Sequence, residues 1–217
     1  MYLRARCTVK ASPNPLLYSQ KVLSYALVPS NYNKSVTKGE YMPQTLEARL
    51  REAIIDVPDF PKPGILFKDI TPILHDPELR ADTIAAFGEH YAESGVTAVA
   101  GPESRGFIFG VLLAEHLGVS FVPIRKPGKL PRDVYRQTYA LEYGTDELQI
   151  HQDALREGDK VAIVDDLLAT GGTAEAACHL VEQSGAEVVG NSFVIELAEL
   201  EGRKKLGQHI VHSLVQY

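Results

Sequence analysis

The sequence contains no tryptophan and only two cysteines, Cys7 and Cys178. The cysteines are far apart and form no C-x-x-C pair, which argues against a disulfide framework and against a structural zinc site. The seven histidines show no H-E-x-x-H or comparable spacing, so a catalytic zinc site is not indicated either. We therefore expect Cys178 to be a packed residue rather than a reactive one.

Long apolar runs and clusters of basic residues are also missing. No apolar stretch approaches the roughly 18 residues that a membrane-spanning helix needs. The net charge of the 217 residues is −6, and no stripe of Lys and Arg provides the surface that nucleic-acid binding requires. The sequence therefore predicts a cytoplasmic protein that binds a small molecule, with no nucleic-acid partner and no membrane partner.

Residues 1–41 differ from the rest of the chain in charge and in pattern. They contain six basic residues and one acidic residue, which gives a net charge of +5, against −11 for residues 42–217. Three prolines would interrupt the amphipathic helix of an organelle transit peptide, although a targeting signal stays an alternative. We predict that residues 1–41 are a disordered or dispensable extension and that Met42 begins the functional domain.

Patterns typical of regular structure begin at Gln44. Leu46, Leu50 and Ile54 recur at helical spacing, which predicts a first helix up to about Ile55. The following segment, DFPKPGILFKDITPIL, is interrupted by two prolines and a glycine and is predicted as an extended loop.

A second helix is predicted in HDPELRADTIAAFGEHYAESG. Asp76 is placed to cap its N-terminus, Pro77 suits its first turn, and Gly95 comes just past its end.

Two β-α-β units follow. In the first, the strands VTAVAG and VSFVPI flank the helix FIFGVLLAEHLG; in the second, the strands KVAIV and AEVVGNSFVIEL flank the helix TAEAACHLVEQSG. Continuous apolar strands that alternate with helices indicate an α/β fold, with a mostly parallel twisted sheet and helices on both faces. A small N-terminal hood (about 44–75) and a flexible hairpin flap (about 127–150) complete the predicted architecture.

The stretch DDLLATGGT stands at a strand end, where open α/β sheets bind their ligands. Its Gly-rich turn and the next helix, with Thr173 as N-cap, would bind a phosphate through backbone N–H groups and the helix dipole. Asp165 and Asp166 suit ribose hydroxyls, directly or through Mg²⁺. The stretch is neither a P-loop nor a dinucleotide fingerprint. It predicts a site for a ribose 5-phosphate.

Basic residues concentrate at another strand end, where IRKPGKLP contains Arg125, Lys126 and Lys129 in an otherwise acidic protein. Such counter-charge suits a polyphosphate, because its oxygens repel one another at short range. Taken alone, the segment fits a solvated basic loop equally well.

VAIVDDLLATGGT resembles the donor-binding signature of type I phosphoribosyltransferases. FPKPGILFKDITPIL, GPESRGFIFG, IRKPGKLP and YALEYG make the chain from about residue 44 to Tyr217 similar to the adenine-specific members of that family. The resemblance implies their fold and purine salvage, in which the phosphoribosyl group of 5-phospho-α-D-ribose 1-diphosphate is transferred to adenine, giving AMP and diphosphate. It also implies Mg²⁺, held mainly by substrate oxygens, and a homodimer.

The resemblance further implies roles for individual residues. Diphosphate would be bound by Glu103, Ser104, Arg105, Lys126, Lys129 and Tyr143. Ribose and its 5-phosphate would be bound by Asp165, Asp166, Ala169, Thr170, Gly171, Gly172 and Thr173. A cis peptide bond between Glu103 and Ser104, usual in the family, is expected as well.

The implied catalytic residues are Arg105 and Glu142 in the flap. Glu142 would manage the proton at purine N7 as N9 bonds to the ribose. Adenine would be bound by the backbone near Leu66 and Lys68 and by stacking on Phe67. Lys68 stands where arginine is common in the family, so any contact made by that guanidinium would be lost.

The sequence leaves two other functions open. The same fold could transfer the phosphoribosyl group to xanthine, hypoxanthine or guanine. It could also serve as a non-catalytic regulator that senses nucleotides, although such a regulator would be expected to have a DNA-binding domain, and residues 1–41 show no helix-turn-helix pattern.

Overall fold

The computed structural model describes residues 44–140 and 144–217. In chain order, its elements are α1 (Leu46–Ala53), β1 (Ile55–Pro58), β2 (Leu66–Asp69), α2 (Thr71–His75), α3 (Pro77–Tyr91), β3 (Ala98–Pro102), α4 (Arg105–Leu117), β4 (Ser120–Ile124), β5 (Val134–Ala140), β6 (Thr145–His151), β7 (Lys160–Leu168), α5 (Gly172–Gln183), β8 (Glu187–Glu196), a 3₁₀ turn (Ala198–Leu200), α6 (Gly202–Lys205) and β9 (Val211–Gln216). The predicted extension, residues 1–41, lies outside the described residues, so the domain boundary at Met42 stays a prediction.

Five parallel strands form the central sheet, in the order β4-β3-β7-β8-β9. β3 is buried along its whole length, and Val161 to Val164 of β7 are fully buried. A strand that is covered on both faces needs apolar side chains on both, which is why these segments are continuous apolar runs. The predicted mostly parallel α/β sheet is confirmed.

Different helices cover the two faces of this sheet, because successive side chains of a strand point to opposite sides. Ile163 of β7 belongs to a core cluster that includes Leu180 of α5. Val164, the next residue, belongs to a second cluster with Phe87 of α3 and Phe109 of α4. The sheet therefore has a hydrophobic core on each side, as the sequence predicts.

Local signals in the sequence predict the helix ends well. The Asp76 side chain accepts hydrogen bonds from the N–H groups of Glu78 and Leu79 at the start of α3. Gly118 ends α4 with a φ of 69°, a left-handed conformation that favours glycine. Cys178 of α5 is buried in the core, as predicted, and burial raises the pKa of its thiol to about 12.

The hood contains more regular structure than the sequence predicts. The first helix ends at Ala53, and Ile55, predicted to be its last residue, begins β1. The segment predicted as an extended loop contains β2 and α2, so that prediction is wrong in part. β2 pairs antiparallel with β1, with Ile55 opposite Asp69. A strand that depends on such a partner leaves little trace in its own sequence.

The predicted hairpin is confirmed, since β5 and β6 pair antiparallel from Val134 opposite His151 to Ala140 opposite Thr145. The two ends of β6 differ in burial: Leu148 is 1% exposed in the core, whereas Thr145 is exposed. The base of the predicted flap is therefore an integral part of the hydrophobic core.

The pattern of the sequence does not predict β9, the edge strand of the sheet. Only Val215 of this strand is buried, so its sequence has neither a continuous apolar run nor a clean alternation. Within residues 44–140 and 144–217, no helix combines the length and the apolar character needed to cross a membrane.

Candidate active site

A cavity of about 660 Å³ lies at the carboxyl ends of β3 and β7. Its wall is formed by the turn between β3 and α4, by the end of β7 with the loop that follows it, and by parts of β5 and β6. Ligands of open α/β sheets bind in this position. The residues predicted to bind ribose and its 5-phosphate all line the cavity, as do Glu103, Ser104, Arg105 and Lys126.

Asp165 and Asp166 lie inside β7, which continues to Leu168 rather than ending at Val164 as predicted. The extension is possible because β8 runs alongside and pairs with these residues, Asp165 opposite Phe193 and Leu168 opposite Glu196. As neighbours on a strand, the two acids face different surroundings.

The surroundings of Asp165 and Asp166 give the two carboxylates different properties. The Asp166 side chain is 5% exposed and accepts a hydrogen bond from Arg105 Nε at 2.5 Å. Burial, and then repulsion from the Asp166 carboxylate, raise the pKa of Asp165 well above its ordinary value. Asp165 Oδ1 also accepts the backbone N–H of Asp166 at 2.9 Å. The predicted pair is therefore one charge-neutralised acid and one that retains protons more readily.

The loop Ala169–Gly171 follows β7 and leads into α5. Thr173 is not the N-cap of α5, as predicted; the cap is Gly171, whose φ of 83° suits glycine. Thr173 lies in the first turn, and its hydroxyl donates to Tyr139 Oη at 3.5 Å. The N-terminus of α5 still faces the cavity, where its dipole and backbone N–H groups favour an anion.

The turn between β3 and α4 has the expected backbone, since the peptide bond between Glu103 and Ser104 is cis. The Glu103 carboxylate accepts hydrogen bonds from Arg125 Nε at 2.8 Å and from the Lys126 N–H at 3.1 Å. Burial raises the pKa of Glu103, but these bonds outweigh burial and the pKa lies below its ordinary value. Glu103 thus holds Arg125 and Lys126 against the turn between β3 and α4.

The predicted basic residues are divided by the fold. Lys126 lines the cavity, and its Nζ lies 3.0 Å from Asp146 Oδ2 of β6. Lys129 is not part of the cavity wall; its carbonyl accepts a long hydrogen bond from Arg125 Nη1, at 3.5 Å. Asp146, which also lines the cavity, belongs to no motif and was missed by sequence reasoning. Tyr139 lines the cavity too; it is the first residue of YALEYG, but sequence reasoning assigned it no role of its own.

The predicted adenine-binding residues of β2 lie outside this cavity wall but beside it. The Phe67 ring is 5.6 Å from Arg105 Cζ, so the hood and the cavity meet at this pair. Leu66 is 49% exposed, and Lys68 binds Asp56 Oδ1 at 2.7 Å. The Phe67 ring and the backbone of β2 are therefore next to Arg105, which is predicted to bind the diphosphate.

Glu142 and Tyr143 lie outside the described residues. Among the residues that are described, no group of three or more His, Cys, Asp or Glu side chains is arranged to hold a metal ion.

The sheet and the cavity at its carboxyl edge define the class to which the chain belongs. Residues 70–212 match the family model described as "Phosphoribosyl transferase domain", which spans more than half of the chain. The chain is therefore a phosphoribosyltransferase, a member of the family that the sequence predicts.

Comparison with individual relatives narrows this class. The adenine phosphoribosyltransferase of Francisella philomiragia is 57% identical over 170 residues, which cover 77% of this chain and 97% of the relative. The crystal structure of the Thermoanaerobacter pseudethanolicus enzyme is similar with a TM-score of 0.77 at 50% identity, covering 80% of this chain and 100% of that chain. The chain belongs to the adenine phosphoribosyltransferase family, as predicted.

A third relative was solved with ligands. The Saccharomyces cerevisiae adenine phosphoribosyltransferase, complexed with adenine and an imino-altritol bisphosphate, has a TM-score of 0.75 and 45% identity, over 78% of this chain and 98% of that chain.

Proposed function

We propose that this protein transfers the phosphoribosyl group of 5-phospho-α-D-ribose 1-diphosphate to adenine, forming AMP and diphosphate. The observation that carries the proposal is the meeting, in one cavity, of two adjacent carboxylates, a Gly-rich loop at a helix N-terminus, and the cations Arg105 and Lys126. Family membership and the adenine bound to the yeast relative favour adenine over other purines. The same relatives are named as transferases, which disfavours a non-catalytic regulator.

The donor is bound by both sides of the cavity. The loop from Ala169 to Thr173, at the start of α5, holds the 5-phosphate through backbone N–H groups and the helix dipole. Asp165 and Asp166 offer carboxyl oxygens that accept hydrogen bonds from the ribose hydroxyls. Since Arg105 already neutralises Asp166, the pair tolerates a substrate that is itself anionic.

The diphosphate lies toward the turn between β3 and α4. Arg105 and Lys126 supply positive charge there, and the backbone around Ser104 supplies N–H groups. Lys129 and Tyr143 are assigned to the same group by resemblance. These cations stabilise the negative charge that develops on the leaving oxygens.

The residues present fit a magnesium ion that arrives with the substrate. Asp165 and Asp166 at the cavity offer carboxylate oxygens but no complete ligand set, and Mg²⁺ usually takes most of its ligands from water and substrate phosphates. When bound, Mg²⁺ would neutralise charge on the diphosphate.

In the reaction, the bond between ribose C1 and the diphosphate oxygen breaks, and the electron pair leaves with diphosphate. A new bond joins C1 to the lone pair of adenine N9, and the proton carried on N7 passes to the Glu142 carboxylate. Glu142 is the proposed acid/base group near N7, and the backbone of Leu66 and Lys68 with the ring of Phe67 holds the base. Exclusion of water protects the reactive C1 from hydrolysis.

The protein is also proposed to act as a homodimer. On α4, Ile108 and Val111 lie one turn apart and are 39% and 48% exposed, which suits a contact with a second copy. Sedimentation or light scattering would detect the dimer.

Residues 1–41 are proposed to be dispensable, so protein that begins at Met42 should retain full activity. The cytoplasmic location stays a prediction.

The reaction is tested by incubating purified protein with 5-phospho-α-D-ribose 1-diphosphate, Mg²⁺ and each purine base in turn. Formation of AMP from adenine, with little product from guanine, hypoxanthine or xanthine, is the expected result. Turnover of another base in preference to adenine would refute adenine as the acceptor. No turnover with any base, together with nucleotide binding, would point to the regulator.

A further inference from the structure

The ion pair between Lys126 and Asp146 joins two walls of the cavity. Lys126 follows β4, Asp146 belongs to β6, and Nζ and Oδ2 are 3.0 Å apart. The Asp146 side chain is 24% exposed and the Lys126 side chain 52% exposed. An acidic residue is unexpected at this position, because the cavity is proposed to bind a diphosphate with several negative charges.

Other groups fix the Asp146 carboxylate where it is. Its Oδ1 accepts the Glu147 N–H at 2.8 Å, and Tyr139 Oη donates to Oδ2 at 3.4 Å. Burial of Asp146 raises its pKa, but the hydrogen bonds from Lys126 and from the Glu147 N–H outweigh burial, and the pKa lies below its ordinary value. Asp146 is therefore an ionised, oriented partner of Lys126 at neutral pH.

We propose that Asp146 is a positioning residue that holds Lys126 toward the cavity and competes with diphosphate for it, so that diphosphate binds less tightly and leaves after the transfer. The proposal rests on the proposed function. When diphosphate binds, the Lys126 ammonium must divide its hydrogen bonds between the anion and Asp146. When diphosphate leaves, Asp146 takes up the free ammonium again.

The test is the variant Asp146→Asn, which keeps Oδ1 as an acceptor for the Glu147 N–H and removes the charge. We expect the inhibition constant of diphosphate and the KM for 5-phospho-α-D-ribose 1-diphosphate to fall about fivefold, with the KM for adenine unchanged. Asp146→Glu should restore both constants toward the wild-type values. The matched control is Asp153→Asn, which removes an exposed acid in the turn after β6, paired with Arg132 at 3.1 Å, and should change neither constant.

A second pair of variants tests whether Asp146 acts through Lys126. In a Lys126→Met background, Asp146→Asn should change the inhibition constant of diphosphate by less than about twofold. An undiminished effect there would overturn the role of Lys126, and weaker or unchanged diphosphate binding in Asp146→Asn alone would overturn the competition. If the wild-type protein turned over no donor and bound no diphosphate, the proposed function itself would fail, which is a different result.

Discussion

The backbones of Gly171 and Gly202 touch. A Cβ built on Gly171 would lie 2.4 Å from the Gly202 carbonyl oxygen, and a Cβ on Gly202 would lie 2.1 Å from the carbonyl oxygen of Ala169. Real Cβ atoms do not approach backbone atoms this closely. The first residue of α6 therefore supports the phosphate loop from behind, and the shape of the loop depends on two glycines that are distant in sequence.

Gly202→Ala should displace the phosphate loop. Gly202 is helical, and alanine favours helices, so the added methyl acts through its clash with Ala169 rather than through backbone strain. We expect the KM for 5-phospho-α-D-ribose 1-diphosphate to rise about tenfold to a hundredfold. Lys205→Ala, an exposed change in the same helix, is the control in the same steady-state assay. An unchanged KM in Gly202→Ala would show that the loop does not need this support.

Glu142→Ala tests the proposed acid/base residue. Because a general acid or base acts on the transition state rather than on substrate binding, kcat should fall about 100-fold or more while both KM values change little. Glu142→Gln, which keeps the size of the side chain, should lose a similar factor. Unchanged kcat in either variant would remove Glu142 from the mechanism.

The parts of the site that could be predicted from sequence are contiguous in sequence. DDLLATGGT and GPESRGF each combine a strand end with the turn that follows, so a single stretch carries both the geometry and the chemistry. Asp146 and Gly202 reach the same cavity or loop from elements that pair or pack only in the folded protein. No spacing rule marks such residues, because sheet topology decides which elements meet.

The wrong prediction at Thr173 has the same origin. Local rules favour a threonine hydroxyl at a helix N-terminus. The position before α5 instead has a left-handed φ and lies against Gly202, and both conditions require the glycine at 171. The sequence likewise does not predict β2, because the prolines and the glycine before it favour a loop, whereas pairing with β1 makes the segment a strand. In each case a tertiary contact overrode a local preference.

Asp165→Asn should stabilise the fold and weaken the enzyme. Burial and repulsion from Asp166 raise the pKa of Asp165, so an ionised Asp165 costs stability at neutral pH. Asparagine keeps the Oδ1 acceptor for the Asp166 N–H and removes that cost. Thermal unfolding at pH 7 should show a Tm higher by a few degrees, and the activity assay a loss of donor binding. A lower Tm would contradict this explanation.

The contribution of Glu196 to stability should depend on pH. A hydrogen bond from Arg203 is the largest cause that lowers the pKa of Glu196, and Ser213 Oγ donates to the same carboxylate at 2.6 Å. A lowered folded pKa gives stability above the unfolded value of 4.5, and that stability is lost as pH falls through the folded pKa.

Glu196→Gln should therefore lower Tm at pH 7 by a few degrees, a modest change because the Arg203 side chain is 43% exposed to water. The difference from wild type should shrink below about pH 4. Thermal unfolding across this range measures it, with the exposed neighbour Glu199→Gln as control. A difference that is the same at every pH would mean that Glu196 acts by packing alone.

Tyr217 should determine how well the hood binds adenine. Its ring lies 3.7 Å from Lys68 Nζ, and its backbone N–H donates to the Glu196 carbonyl at 2.9 Å. The ring therefore ties β2, which is proposed to bind the base, to the end of β8 in the main sheet. A contact between an ammonium and an aromatic face contributes about 0.5 to 2 kcal/mol.

Tyr217→Ala should raise the KM for adenine about threefold to tenfold and leave the KM for the donor unchanged, because the cations over this ring, Lys68 and Arg51, belong to the hood. Tyr217→Phe keeps the aromatic face and should behave like the wild type. Steady-state assays with each substrate varied in turn separate the two KM values. Equal rises in both, or a loss of adenine binding in Tyr217→Phe, would mean that Tyr217 acts on overall stability or through its hydroxyl instead of through Lys68.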